Sequence, residues 1–330
     1  MMKRFQLDYK QLPLIATIVL FITMFSFGAM RYTGFLSTQV FFNLFIDNAF
    51  LIIVAVGMTF VIISGGIDLS VGSIIALTSM IAASLTMNSG FSPWLVIPIC
   101  LLVGAVIGFG QGCLIHFFNL QPFIVTLAGM FLARGLSYVI SVETISINHR
   151  FFDYMASKRI FIGDSFISLS VIIALIVVMI AIYIGQSTKF GRNVYALGGN
   201  EQSALLMGLP VGKTKIMIYT FSGFCASLGG LVFTFYMLSG YGLHANGLEL
   251  DTIAAVVIGG TLLTGGVGYV AGSVVGVLIL GIIQTIIVFE GTLSSWWTKI
   301  AIGILLLLFI VLQRIIVIRS NAKKNVISEH

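Results

Sequence analysis

LSVGSIIALTSMIAASLTMNSGFSPWLVIPICLLVGAVIGFGQGCLIHFFNLQPFIVTLAGMFLA, the run from Leu69 to Ala133, holds no Asp, Glu, Lys or Arg. A helix needs only about 20 residues to cross a hydrocarbon core about 30 Å thick, so the run is too long for one crossing. Small and polar breaks at Asn88-Ser89-Gly90-Phe91-Ser92-Pro93 and Asn119-Leu120-Gln121-Pro122 divide it into three predicted helices. These segments are apolar on every side and lack the alternation that a membrane β-strand requires.

Composition extends that reading to the whole chain. Hydrophobic residues make up 58% and charged residues 8%, which excludes a water-soluble globular domain. The expected fold is all-α, a polytopic membrane protein with about ten transmembrane helices. The expected spans are 12–30, 48–64, 71–88, 94–118, 122–141, 165–185, 215–238, 252–266, 269–290 and 296–318. No stretch reads as an interdomain linker, so residues 1–330 are expected to form a single membrane-spanning domain.

The charges orient the helices. Lys3, Arg4 and Lys10 precede the first helix, and Arg314, Arg319, Lys323 and Lys324 fall at or beyond the end of the last. Basic flanks mark the cytoplasmic side, so both termini are expected there and the number of crossings is even. The loop 186–215 carries Lys189, Arg192, Lys213 and Lys215 against Glu201 and is cytoplasmic by the same rule. Charges in the loop from Ser141 to Ser165 cancel, which suits the outer side. The net charge of +6 thus reflects basic cytoplasmic segments in contact with the lipid bilayer and implies no nucleic-acid partner.

Catalytic chemistry has no visible carrier. His116, His149, His244 and His330 are scattered, and Cys100, Cys113 and Cys225 lie in apolar segments without metal-ligand spacing. Gly208-Leu209-Pro210-Val211-Gly212-Lys213-Thr214 has three residues between its glycines where a phosphate-binding loop has four. No cofactor is expected in this chain, and if ATP drives it, partner subunits must hold the ATP.

Glycines suggest internal order. Gly65-Gly66-Ile67-Asp68-Leu69-Ser70-Val71-Gly72 and Gly259-Gly260-Thr261-Leu262-Leu263-Thr264-Gly265-Gly266 share a glycine pair and a later glycine. Two five-helix halves would enter the membrane in opposite senses, the inverted-repeat plan of many transporters. Gly104, Gly108 and Gly112 recur every fourth residue, as do Gly268, Gly272 and Gly276, and such stripes let helix backbones approach closely.

Asp68 is an acid among apolar blocks, and an intramembrane ionisable group is a functional candidate by default. Either it lines or gates a path, or it caps the third helix by accepting from N–H groups near Gly72. Ser70, Gln111, Thr126, Ser222 and Thr264 add hydroxyl and amide groups without a cluster of opposite charges. That set suits a neutral polyhydroxylated solute better than an amino acid or a phosphate.

Several ordered motifs resemble the permease subunits of monosaccharide-importing ABC transporters. The Gly65–Gly72 segment resembles one shared by ribose-type permeases. Gln121-Pro122-Phe123-Ile124-Val125-Thr126-Leu127 with Arg134-Gly135, and Leu248-Glu249-Leu250-Asp251 leading to Gly259-Gly260, are similar to further family elements. Gly191–Gly208 resembles the family's coupling loop, in which Asn200, Glu201, Gln202, Ser203, Ala204 and Gly208 would meet an ATP-hydrolysing subunit. Gln202, Ser203, Ala204 and Gly208 keep that loop's spacing, although two of its usual leading residues are replaced. The tail Gly291–Gly303 resembles more narrowly a permease subunit of bacterial galactofuranose importers. Gln111 stands where the family often has Asn.

The resemblance implies a subunit of the bacterial inner membrane that forms a path with a second permease, identical or related. ATP-binding subunits would dock on the 186–215 loop, and a periplasmic sugar-binding protein would dock outside, where Glu249 and Asp251 are docking candidates. Arg134 is expected to reach outward to the interface. The competing reading is an ion-coupled secondary sugar transporter, which would call for paired intramembrane charges that this chain has in small number.

Overall fold

The computed structural model describes residues 12–294 and 296–328, with side chains from 13 to 315. Lys3, Arg4 and Lys10 lie outside the described residues, and the side chains of Arg319, Lys323 and Lys324 lie outside the described side chains. Among the described residues helices make up 76% and strands 4%, so the fold is all-α.

Helices α1 (Leu12–Arg31), α2 (Thr38–Ile63), α3 (Val71–Met87), α4 (Pro93–Phe117) and α5 (Pro122–Ile140) form the first half. Beyond them come β1 (Ile145–Ser146), α6 (Arg150–Ser157) and a hairpin of β2 (Arg159–Ile162) with β3 (Ser165–Ser168). The second half holds α7 (Leu169–Ser187), α8 (Lys189–Gly199), α9 (Glu201–Leu206), α10 (Val211–Met237), β4 (Ser239–Gly240), α11 (Leu248–Ile258), α12 (Val270–Glu290) and α13 (Trp296–Ser328). Local chemistry sets several of these ends. Pro93 and Pro122 open α4 and α5, where a missing N–H costs nothing. Ser37 caps α2 by accepting from the Val40 N–H, which starts that helix well before the expected residue 48.

Among the described residues, 8 helices are long and apolar enough to cross a membrane. The ten expected spans are these together with the shorter α3 and α11. The expected span 252–266 is corrected: α11 has 11 residues and stops at Ile258, about 16 Å at the helical rise and roughly half a hydrocarbon core. Irregular chain from Gly259 to Tyr269 completes the passage to α12, an arrangement that membranes tolerate where protein buries the loop.

Buried α2 is the hub, packed against α10, α12, α7 and α11. Lipid tails are as apolar as these helices, so close packing holds the bundle together more than exclusion of water does. The α4 stripe performs that role: Gly104 and Gly108 lie against the backbone of Gly223 and Tyr219, and Gly112 against Ile216 of α10. On α12, Gly272 and Gly276 press on Gly259 and Ala255. Gly268 precedes α12 and packs on Thr261, so the second stripe is shorter than expected.

Neighbour relations have a pseudo-twofold form. As α10 packs on α4, α2 packs on α12; as α3 meets α5 and α10, α11 meets α13 and α2. Only α1 and α7 break the exchange, with α1 on α12 and α7 on α2. The glycine-pair motif is not the trace of this symmetry. It sits between α2 and α3 in one half but between α11 and α12 in the other, and both copies lie on the α8 side, whereas inversion would separate them. Their likeness is a shared helix-ending turn. Ser64, Gly65 and Gly66 donate to Phe60, Ile62 and Val61, as Gly259, Gly260 and Thr261 donate to Ala255, Val257 and Val256. The structural register therefore pairs Gly65 with Gly260, one residue off the sequence match. Both glycines are left-handed, with φ of 83° and 92°, where a side chain would be strained.

Candidate functional site

Two elbows, 64–70 after α2 and 259–269 after α11, are the centre of the molecule's polar chemistry. Asp68 in the first elbow is fully buried. Its Oδ1 accepts from the Ser70 N–H at 2.9 Å and the Ser70 hydroxyl at 2.6 Å, and its Oδ2 accepts from the Ser222 hydroxyl of α10 at 2.7 Å. The expected cap near Gly72 is corrected: Ser70 is the N-cap residue of α3, and Asp68 closes a two-residue turn before it. That carboxylate ties the elbow to α10, because a buried charge is tolerable only when donors surround it.

The other path candidates gather there, Thr264 excepted. Ser70 Oγ lies 3.4 Å from Gln111 Oε1 of α4. The Thr126 hydroxyl of α5 donates to its own helix at Pro122, 2.9 Å away, and stands 3.3 Å from the Ile67 carbonyl. Thr264 is exposed on the second elbow, in a cleft with Gln313 and Arg314. Two buried groups beside the first elbow have no hydrogen-bond partner, Gln111 Nε2 and Tyr219 Oη, and the second elbow adds Thr261 Oγ1. Unpaired buried polar groups are costly and uncommon. Tyr219 sits against Gly66. The sequence reading missed it, since an aromatic residue in an apolar helix reads as core.

Beneath the elbows lies the basic loop. Thr188 caps α8 by accepting from Gly191 N–H, and Asn200 caps α9 by accepting from Ser203 N–H at 2.8 Å. Lys215 Nζ pairs with Glu201 Oε1 at 2.6 Å, holding the start of α9 to α10. Of the expected contact residues, Gln202 and Ser203 face outward, whereas Ala204 is buried and offers a partner no surface. The exposed face is instead apolar: Leu205, Leu206 and Met207 are 55%, 89% and 67% exposed. They form an apolar patch on an otherwise polar loop.

Helix α8 carries this loop to both elbows. Tyr195 donates to the Gly268 carbonyl at 2.8 Å, and the Gly198 Cα lies against Ile63 O and Gly266 N with no room for a side chain. The first and last membrane helices reach the same place. Thr17 of α1 donates to Ile258 O, and Gln313 of α13 donates to Val257 O at 3.0 Å.

On the opposite face, two expectations are corrected. Arg134 turns inward, donating to the carbonyls of Gly242 at 2.7 Å and His244 at 2.8 Å. Glu249 is 8% exposed, its carboxylate lodged over Gly72, so it presents no docking surface. The cause is the missing side chain at Gly72, which opens a space that the acid enters. Asp251 is engaged by Lys299 Nζ at 2.5 Å.

A family described as branched-chain amino acid transport system / permease component matches residues 40–310. The chain is 51% identical over 306 residues to the inner membrane ABC transporter permease protein YjfF of Escherichia coli K12, covering 92% of each. It is 42% identical over 329 residues to the fructose import permease protein FruG of Bifidobacterium longum, covering 98% of this chain and 96% of that one. Against the ribose import permease protein RbsC of E. coli K12 the identity is 37% over 277 residues, 82% of this chain and 84% of that one. No solved structure matches the chain. The chain thus belongs to the branched-chain amino acid transport system / permease component family, within its branch of ABC sugar permeases.

Proposed function

We propose that this chain is the membrane-spanning permease subunit of an ATP-driven monosaccharide importer of the bacterial inner membrane. It carries no ATPase site of its own. ATP-binding subunits grip the 186–215 loop through Gln202, Leu205, Leu206 and Met207, a second permease subunit completes the path, and a periplasmic binding protein delivers the sugar. Both termini lie on the cytoplasmic side with that loop. The observation that carries the reading is the seating of Gly198 against Ile63 and Gly266, because it joins a docking surface to two elbows and a buried polar cluster. ATP hydrolysis can favour one conformation only through contacts that differ between the two, and α8 touches both elbows where such a difference would act.

Galactofuranose is the first candidate substrate, on the Gly291–Gly303 tail, with ribose or another aldose next. The neutral cluster of Ser70, Gln111, Thr126, Tyr219 and Ser222 suits any of these. The test is uptake of labelled sugars by cells that hold the full set of subunits, with and without this chain and with the proton gradient collapsed. Sugar uptake that needs both the chain and ATP supports the reading. Uptake that vanishes with the gradient while ATP is maintained points to the ion-coupled transporter instead, and uptake of a charged amino acid alone overturns both.

A further inference from the structure

A cavity of about 330 Å³ opens on the α8–α9 side, between the first elbow, the α4–α5 turn and α10. Its polar wall is Ser64, Asn119 and the ion pair of Glu201 with Lys215, and its apolar wall includes Leu197 and Tyr219. The volume falls at the lower end of the roughly 300–1,000 Å³ range of small-molecule sites. Glu201 and Lys215 bring one charge of each sign, so the lining is neutral overall: an anion would face the carboxylate and a cation the ammonium. Both ions remain partly accessible, with side-chain exposures of 47% for Glu201 and 20% for Lys215, and each can still form a charge-assisted hydrogen bond to a hydroxyl. Tyr219 lines this cavity, is 2% exposed and has a hydroxyl without a hydrogen-bond partner.

We propose that this cavity is an inner-face site for a neutral monosaccharide, and that its occupancy restrains the next transport cycle. The proposal rests on the sugar-import reading above and adds a regulatory site to it. Ring hydroxyls would meet Glu201, Lys215 and the Asn119 amide, while the C–H face of the sugar lies on Leu197. The position explains the restraint. Glu201 begins α9, Leu197 precedes Gly198, and Ser64 is in the first elbow, so one ligand bridges the docking unit and the element it moves. Sugar accumulating inside would therefore hold α8 and α9 against the elbow.

The experiment uses the complete importer in vesicles with the ATP-hydrolysing side outward, and with binding protein and labelled sugar in the lumen. Unlabelled sugar of the same kind is added outside with ATP, and transport out of the lumen is followed. Sugar at twice its dissociation constant leaves a third of the sites free, so transport should fall roughly threefold. Asn119→Gly removes the amide and suits the left-handed backbone there, φ 50°. That variant should keep the uninhibited rate and lose most of the inhibition. It should also lose equilibrium binding of labelled sugar by the complex without binding protein. Transport unaffected by outside sugar would overturn the inference and leave the import reading standing, as would equal inhibition of the parent and Asn119→Gly complexes. Failure of any sugar to be transported would remove both.

Discussion

Gly266 donates its backbone N–H to the carbonyl of Ile63 at 2.8 Å, joining the two elbows by one hydrogen bond. The Gly198 Cα seats against both of these groups, so α8 packs directly on that junction. An Ala at position 198 would collide with the Ile63 carbonyl, and overpacking of this kind costs about 1–3 kcal/mol. Gly198→Ala should leave the subunit in the membrane and still bound to its ATPase, but separate ATP hydrolysis from transport. The measurement is sugar moved per ATP hydrolysed by the purified complex. An unchanged ratio would show that the junction is not on the coupling route.

The exposed side of α9 makes a complementary prediction. Leu206 is 89% exposed, and surface substitutions away from special features usually change stability by within about 0.5 kcal/mol. Leu206→Asp should therefore fold normally, yet lose co-purification with the ATPase subunit because a charge enters an apolar contact. Ala204→Ser serves as the contrast: it perturbs a buried position and should affect folding before docking. Normal retention of the ATPase by Leu206→Asp would move the docking surface elsewhere.

Asp68 separates charge from hydrogen bonding. In Asp68→Asn the oxygen can still accept from the Ser70 N–H while the amide donates to the Ser222 hydroxyl. In Asp68→Ala each donor that finds no new partner costs about 1–3 kcal/mol. The thermal midpoint in detergent should fall clearly for Ala and little for Asn, with transport following stability. If both variants remain stable and both lose transport, the charge itself takes part in the path.

Much of this was legible in the sequence because hydropathy and charge report on helices one at a time. Asp68, Ser70, Gln111, Thr126 and Ser222 were singled out as polar atoms in apolar runs, and folding collects them around one elbow. What stayed hidden depends on partners distant in the chain. Gly198 looks like loop punctuation until Ile63 and Gly266 arrive beside it. Glu249 sits near a loop and reads as a solvated acid, but the space over Gly72 draws it inside. The end of α11 was missed for a local reason: Leu262 and Leu263 continue the apolar run past Gly259 and Gly260, although the chain has already turned.

His244, in the loop between β4 and α11, gives the protein a pH dependence. Burial, and then the neighbouring Arg134, hold its imidazole below the ordinary histidine range. The unfolded chain takes up that proton near pH 6.5, the folded protein only at lower pH. Stability from this group is therefore fully present above about pH 6.5 and is lost as pH falls through the folded value. The groups around His244 are Arg134 and the rings of Phe233 and Tyr241. Thermal midpoints measured from neutral to mildly acidic pH should fall for the parent and be flatter for His244→Gln. Parallel curves would assign the acid sensitivity to another group.

Arg134 and Glu249 form the last testable unit. Arg134 bridges α5 to the loop before α11 through the carbonyls of Gly242 and His244, and its charge is felt by Glu249. One carboxylate oxygen of Glu249 has no hydrogen-bond partner; backbone N–H groups at Glu249 and Gly247 offset its burial, and the charge of the guanidinium adds further compensation. Arg134→Gln removes that compensation and two charge-assisted hydrogen bonds. Hydrogen bonds from a charged group typically contribute about 1.5–3 kcal/mol each. Glu249→Gln should cost less, because the arginine keeps its carbonyls, and the double variant should be more stable than the sum of the single losses implies. Unfolding of all four proteins in the same detergent measures the coupling. Strict additivity would mean that Arg134 acts only as a strap across the loop, and that Glu249 is held inside by its backbone hydrogen bonds and its packing over Gly72.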